Sequence, residues 1–285
     1  MYVARAALHY WEEPVISGIR GSGAVFFCRC PLGCIYCQNA EIASSDAGFA
    51  IDVSGLARVF MNLQSQGALN INCVSPTHHS LAIRDAVAQA RSTGLSVPVV
   101  WNTSGYERTQ AIEMLEETVD VFLTDFKYAD DRLSWKYSRV RDYESTALAA
   151  IYAMVEAVGV PRFDEVDGMP RMTSGVIIRH MQLPRSLNES KKALHTLFEN
   201  FGNDVLYSIM NQYTPIIAAR AQSGDETARA ALQAHPELSE RVSDAEYEEL
   251  LEYADELGID EYFWQEGEAA QESFVPEWDG TGVVD

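Results

Sequence analysis

The chain has 285 residues, 47% of them hydrophobic, enough to build one α/β domain with a sizeable core. Its net charge is −21, and residues 221–285 hold 19 Asp/Glu against 2 Arg, so the acid is concentrated toward the C-terminal end. Such a surface repels phosphate backbones and anionic lipid, which argues against nucleic acid and membrane as partners. No stretch has the apolar length of a membrane-spanning helix, and Met1–Arg5 does not begin a secretory segment, so a cytoplasmic protein is expected.

In chain order, apolar runs with strand character fall at Ala24–Phe27, Leu69–Val74, Val97–Trp101, Val119–Thr124, Val176–Met181 and Val205–Met210. Helical patterns separate them at Val53–Gln66, Ser80–Ser92, Glu107–Glu117, Ser145–Val158 and Glu189–Phe201. This βαβα order predicts parallel strands joined by right-handed crossovers. The expected architecture is α/β, a partial (β/α)6 TIM-type barrel over residues 1–220. Residues 221–285 read as an acidic C-terminal extension packed on that core, most of its charge solvated. It contains a helix over Asp244–Leu257 with Ser243 as N-cap and an edge strand within Gly258–Gln265. The segment Phe274–Gly280 reads as a loop whose aromatics fold back onto the barrel.

Cys30, Cys34 and Cys37 form C-x3-C-x2-C on a tight loop directly after the first apolar run. Three thiolates at that spacing suit three corners of an iron–sulfur cube and leave one iron open to a ligand. A structural zinc site needs four ligands, usually paired C-x2-C units, and the only nearby fourth donor is Cys28, placed by strand alternation on the same side as Cys30. A redox dithiol is a further alternative. Cys28 otherwise reads as a buried strand thiol, and Cys73 as core.

In parallel barrels the chemistry collects at the C-terminal strand ends. Here those ends are the cysteine loop, Ser75-Pro76-Thr77-His78-His79, Trp101-Asn102-Thr103-Ser104-Gly105-Tyr106, Thr124-Asp125-Phe126-Lys127, Arg179-His180-Met181-Gln182 and Met210-Asn211-Gln212. Arg179 and His180 alternate faces, so one points into the barrel; Arg179, a permanent cation, is the better candidate for clamping a carboxylate. Asp125 and Lys127 share a face and form either a surface ion pair or part of a binding mouth. Glu12 and Glu13 read as solvated acids before the loop Gly18–Gly23, with Glu12 retained as a candidate substrate contact.

Taken together, the cysteine loop and these strand ends resemble the radical S-adenosylmethionine superfamily, most closely the pyruvate formate-lyase activating enzyme family and its stand-alone relatives. The phrases Trp11-Glu12-Glu13-Pro14, Gly21-Ser22-Gly23, Cys37-Gln38-Asn39, Ser75-Pro76-Thr77-His78, Asn102-Thr103-Ser104-Gly105-Tyr106, Thr124-Asp125-Phe126-Lys127 and Phe274-Val275-Pro276 carry the likeness over roughly residues 4–280. The resemblance implies a [4Fe–4S] cluster on Cys30, Cys34 and Cys37, with S-adenosylmethionine on the open iron. It also implies cofactor contacts from Tyr36 (beside the adenine), Asn39, Ser75, Thr77, Asn102, Thr103, Ser104, Asp125, Lys127 and Arg179. His78, Gln212 and Glu12 are the candidate substrate contacts. One departure is the second strand end, where the family commonly has Gly-Gly-Glu-Pro and this chain has Ser75-Pro76-Thr77-His78. Reductive cleavage of S-adenosylmethionine, driven by an external one-electron carrier of flavodoxin or ferredoxin type, is expected to precede hydrogen abstraction. The substrate is a protein activated in the glycyl-radical manner, a peptide, or a small metabolite. A non-catalytic iron–sulfur or zinc protein is the distant alternative.

Overall fold

Strand segments of four or more residues recur along the computed structural model, which describes residues 1–265 and 275–283. The strands are β1 (Tyr2–His9), β2 (Ser22–Phe27), β3 (Phe49–Ala50), β4 (Ile71–Val74), β5 (Val99–Thr103), β6 (Val121–Asp125), β7 (Arg162–Val166), β8 (Met169–Met181), β9 (Leu206–Met210) and β10 (Tyr262–Phe263), with β3 and β10 only two residues long. They form one sheet in the order β10-β9-β8-β6-β5-β4-β2-β1-β3, with β7 folded back on β8. From β2 through β4, β5, β6, β8 and β9 to β10 every pairing is parallel. Six of these are the six expected barrel strands, and β10 is the expected edge strand. The sheet stays open, so the architecture is a partial barrel.

β1 was not legible as a strand: Tyr2–His9 contains three Ala and a central Arg, a weak strand composition. Tertiary pairing forms it. It runs antiparallel to both β2 and β3. Beyond β3, the C-terminal segment takes its outer edge, with Ala6 N–H donating to Thr281 O at 2.8 Å and Gly280 N–H to Ala4 O at 3.0 Å. The expected helix Glu107–Glu117 shortens to Thr109–Glu113, and the Glu107 side chain, before its start, is buried. Helices Val53–Ser65, Ser80–Ser92, Tyr143–Val158 and Leu187–Phe201 cover the outer face, over a core that includes Phe27, Cys73, Trp101, Phe122 and Ile178.

The helix Asp244–Leu257 begins at Ser243 with a full capping box and buries Tyr247, Leu250 and Ala254. Tyr247 O–H donates to Ile209 O at 2.7 Å, and Tyr213 O–H to Leu238 O at 2.6 Å, tying residues 238–247 to the end of β9. No helix among the described residues is long and apolar enough to cross a membrane.

The inner face of the barrel has two layers, set by the two-residue period of the strands. Val100, Val121, Leu123 and Ile177 point inward at the N-terminal half and pack on Val15 and Ile16, from the short helix Pro14–Ser17 that plugs this end. Asn70 anchors the plug, donating to Ile16 O at 2.7 Å and accepting from Ser22 Oγ at 2.6 Å. Two residues further along the same faces stand Asn102, Asp125 and Arg179. Along β5, β6 and β8 the inner lining therefore changes from apolar to polar or charged at Asn102, Asp125 and Arg179.

His180 takes the opposite face and is buried, its Nδ1–H donating to Phe126 O at 2.7 Å while Nε2 has no partner among the described residues. Burial pushes this imidazole down to about 4. The unfolded chain then binds a proton near pH 6.5 that the folded chain refuses. Stability contributed by neutral His180 is complete above about pH 6.5 and is lost as pH falls through about 4, on the order of 3 kcal/mol at the acid end. Urea midpoints of the wild type are expected to drop between pH 7 and pH 4, and those of His180→Gln to drop less; equal slopes would remove His180 as the cause.

Candidate functional site

A loop and six strand ends enclose a cavity of about 230 Å³ at the charged end of the barrel. Cys30, Cys34, Tyr36, Cys37 and Asn39 line one wall. Ser75, Asn102, Thr103 and Ser104 line a second, Asp125, Lys127 and Arg179 the floor, and Met181, Met210 and Gln212 the far side. His9, Trp11 and Phe26 also line it, with Trp11 56% exposed. The expected wrapping of the C-terminal loop is present at Trp278, whose ring meets Phe26 edge-on at 5.2 Å. Phe274, expected in the same loop, lies outside the described residues.

Cys28 and Cys30 do not share a side. Arg29 between them adopts φ 69, the left-handed region, which ends the strand alternation. Cys28 is fully buried among Ala4, Ala24, Phe26, Ile42 and Val74, under Gly48, where a Cβ would come within 2.6 Å of its Sγ. All five cysteines are free. The Cys34 Sγ lies 2.9 Å from Ser138 Oγ, and Ile35 N–H donates to Tyr137 O at 2.9 Å, so the helix Asp131–Ser138 braces the loop. Burial, with the neighbouring cysteines, raises the Cys30 thiol to about 11 and the Cys37 thiol to about 12. These groups stay protonated near neutrality unless a metal takes the proton's place. Among the described residues, no three His, Cys, Asp or Glu side chains converge on a single-ion position.

Arg179 organises the floor. Its Nε donates to Asp125 Oδ1 at 2.9 Å, Nη1 to Glu12 Oε2 at 3.2 Å and Nη2 to Asn102 Oδ1 at 2.6 Å. Lys127 pairs with the other Asp125 oxygen. Asn72 and Asn102 both donate to Glu12 Oε1, at 3.0 and 3.1 Å. Glu12 is thus no solvated acid; it enters the barrel mouth from the turn after β1 and takes hydrogen bonds from three side chains. Glu13 is buried as well. Burial pushes both carboxyls up, against the pull of Arg179. Burial also opposes ionisation of Asp125, but the Lys127 and Arg179 cations outweigh it and hold that carboxyl below its ordinary value. Asp125 and Lys127 form an ion pair of the cavity floor, not of the surface.

Thr77 and His78 stand apart from the cavity. Thr77 Oγ1 donates to Glu107 at 2.7 Å, and His78 Nε2 bonds Cys28 O at 2.7 Å from outside the cysteine loop. Ser75, which does line the cavity, sits at φ 56. A left-handed serine is strained by on the order of 1 kcal/mol.

Sequence reasoning missed two supporting residues. Glu107 accepts from Thr77, from Thr103 Oγ1 at 2.6 Å and from Trp101 Nε1 at 3.3 Å, joining the second and third strand ends. Tyr143 O–H donates to Ser104 O at 2.7 Å and Asp125 O at 3.1 Å, and accepts from Lys127 N–H at 2.9 Å, stapling the third end to the fourth. Gly105 permits this approach, since a Cβ there would lie 2.2 Å from Asp125 O. Glu107 and Tyr143 each lie in segments with no motif of their own, so only the folded chain reveals them. Ser104 Oγ, on the cavity wall, has no partner among the described residues.

No family model matches the chain. An uncharacterized protein of Methanocaldococcus jannaschii is 26% identical over 269 residues, spanning 91% of this chain and 68% of the relative. Among solved structures, Streptococcus suis SuiB bound to precursor peptide SuiA superposes with a TM-score of 0.53 at 14% identity, over 85% of this chain and 47% of SuiB. SuiB bound to S-adenosylmethionine gives 0.51 at 11% identity, over 86% and 52%. The fold is shared with SuiB, and this chain spans about half of SuiB's length.

Proposed function

We propose that the chain is a radical S-adenosylmethionine enzyme. The observation that carries this reading is the joining of three free cysteines and a charged barrel floor around one cavity. The donor set fits the group: three thiols on one wall, with Cys28 turned away, supply three corners of a cluster and lack the fourth ligand that zinc requires. Cys30, Cys34 and Cys37 would hold a [4Fe–4S] cluster. Bound there, cluster and S-adenosylmethionine together supply a 5′-deoxyadenosyl radical that removes a hydrogen atom from substrate. The residues of this chain position and screen. Asp125 and Arg179 offer complementary charges to an amino-acid moiety, with Lys127 holding Asp125 ionised. Ser104 offers an unused hydroxyl, and Tyr36 an aromatic surface on the cysteine wall.

The substrate is proposed to be peptide-like, reacting at a Cα–H or similar carbon, either as a protein in the manner of the activating enzymes or as a shorter peptide. SuiB, with which the fold is shared, is described bound to a precursor peptide, and that supports the peptide class. Trp11, His9 and Phe26 add aromatic surface to the lining of this cavity, beside its charged residues. Thr77 and His78 do not line this cavity, while Gln212 and Glu12 do.

Anaerobic reconstitution with iron and sulfide, then dithionite and S-adenosylmethionine, tests the reading. About four iron and four sulfide per chain are expected, with release of 5′-deoxyadenosine and methionine. Zinc retained in place of iron, or no 5′-deoxyadenosine from the reconstituted protein, would sink it.

A further inference from the structure

A buried chain of hydroxyl groups ends on one sulfur of the cysteine loop. Cys34 Sγ lies 2.9 Å from Ser138 Oγ, which lies 2.7 Å from Tyr128 Oη, which in turn lies 2.7 Å from Tyr36 Oη. Ser138 is 2% exposed, Tyr128 1% and Tyr36 6%, so water does not compete along the chain. Among the described residues these hydroxyls bond only one another and Cys34, and neither Cys30 nor Cys37 has a side-chain hydroxyl at its sulfur. The surroundings hold the chain in place. Ser138 ends the helix Asp131–Ser138, and beside it Lys136 Nζ and Tyr137 O–H both donate to Glu237 at 2.7 Å. Tyr128 follows the end of β6 and meets the Tyr143 ring edge-on at 5.2 Å, while Tyr36 meets Tyr137 edge-on at 6.1 Å.

Counting protons gives the chain one direction. Each hydroxyl has a single proton to donate and an oxygen that accepts. A cysteine bound to metal has lost its proton and only accepts. With Cys34 as a ligand, Ser138 donates to the sulfur, Tyr128 donates to Ser138, and Tyr36 donates to Tyr128. Donation to a thiolate is charge-assisted, and each upstream hydroxyl polarises the next. We infer that Ser138 is a positioning residue acting through Cys34: oriented by Tyr128 and Tyr36, its hydroxyl raises the reduction potential of the site held by Cys30, Cys34 and Cys37. Reduction adds one electron, and so negative charge, to the metal–sulfur unit, while no bond forms or breaks. A hydrogen bond donated to sulfur favours that more negative state. The inference rests on the proposed function, which places a redox group on these three sulfurs.

The test is a redox titration of reconstituted holoprotein with dithionite, following the reduced site by electron paramagnetic resonance. Ser138→Ala is expected to make reduction about tenfold less favourable, a fall in midpoint potential of about 59 mV for one electron. Tyr128→Phe keeps Ser138 but removes the group that orients it, and a smaller fall is expected. Ser134→Ala is the structural control. Ser134 is buried one turn earlier on the same helix, and its hydroxyl donates to Val140 O at 2.8 Å. Its loss is expected to lower the urea midpoint and leave the potential where it was. A second readout is electron–nuclear double resonance after exchange into deuterium oxide. The coupling of one exchangeable proton should be present in the wild type and Ser134→Ala and missing from Ser138→Ala. An unchanged potential in Ser138→Ala, or a fall equalled by Ser134→Ala, overturns the inference. If Ser138→Ala takes up no cluster, Tyr128→Phe decides, and a potential that stays or rises in it overturns the inference too. A wild type that assembles no iron–sulfur site, or releases no 5′-deoxyadenosine with dithionite, overturns the proposed function instead, so the two failures are separable.

Discussion

Alanine at Cys30, Cys34 or Cys37 is expected to abolish iron–sulfur incorporation and S-adenosylmethionine cleavage together, whereas Cys28→Ser keeps both. The reason is geometric. The three cysteines line one cavity wall, and a three-thiolate site that loses one ligand holds its cluster by two. Cys28 faces a separate apolar cluster, and its thiol is pushed up by burial without contributing to the wall. Serine there exchanges a buried thiol for a hydroxyl against Gly48 and should cost stability, on the order of 1–3 kcal/mol, without bleaching the protein. Iron and sulfide content, the visible absorption and 5′-deoxyadenosine yield check all four variants in one series. Retention of a full cluster by Cys34→Ala, or its loss in Cys28→Ser, would reassign the ligands.

Arg179→Met is expected to destabilise the fold by about 3–5 kcal/mol, more than any other single change on the cavity floor. The substitution leaves Asp125 and Glu12, whose side chains are 16% and 10% exposed, facing each other without the cation between them. It also strips Asn102 Oδ1 of its donor. Arg179→Lys restores the charge but not the three-way fork, because one ammonium cannot reach Asp125, Glu12 and Asn102 in fixed directions, and an intermediate loss is expected. Adding Glu12→Gln to Arg179→Met removes the charge left without a cation, since Asp125 keeps Lys127, and should recover part of the loss, a coupling that a double-mutant cycle measures directly. Urea unfolding gives the magnitudes. A loss below about 1 kcal/mol in Arg179→Met would mean that solvent screens the network as it screens surface pairs.

Particular residues show where sequence reading succeeds. Leu123 and Asp125, or Ile177 and Arg179, are two apart, and strand periodicity alone places each pair on one face. Together with the rule that chemistry collects at C-terminal strand ends, it brings Asn102, Asp125 and Arg179 to one mouth. Local rules also placed the helix at Ser80–Ser92 and the Ser243 cap correctly, because both depend on neighbours within a few positions. Glu12 shows the converse. Its carboxylate is buried by residues 60, 90 and 167 positions away, and nothing in Trp11-Glu12-Glu13-Pro14 distinguishes a solvated acid from one drawn into a barrel mouth.

The sequence by itself determined the alternation of strands and helices, the parallel partial barrel, the three-cysteine loop and the choice of Arg179 over His180 for the barrel interior. All of these follow from spacing along the chain, and spacing is what periodicity and motif rules read. The tertiary structure alone decided that Arg29 turns Cys28 away from Cys30, that Thr77 and His78 serve the cavity wall from outside, and that Glu107 and Tyr143 bind the strand ends to one another. It also decided that Ala-rich Tyr2–His9 becomes a strand, once β2, β3 and the segment 280–281 saturate its backbone. Each of these outcomes depends on a backbone angle or on a partner far away in sequence. Hydrogen bonds and burial are satisfied between groups that meet only in the folded chain, so no local pattern announces them.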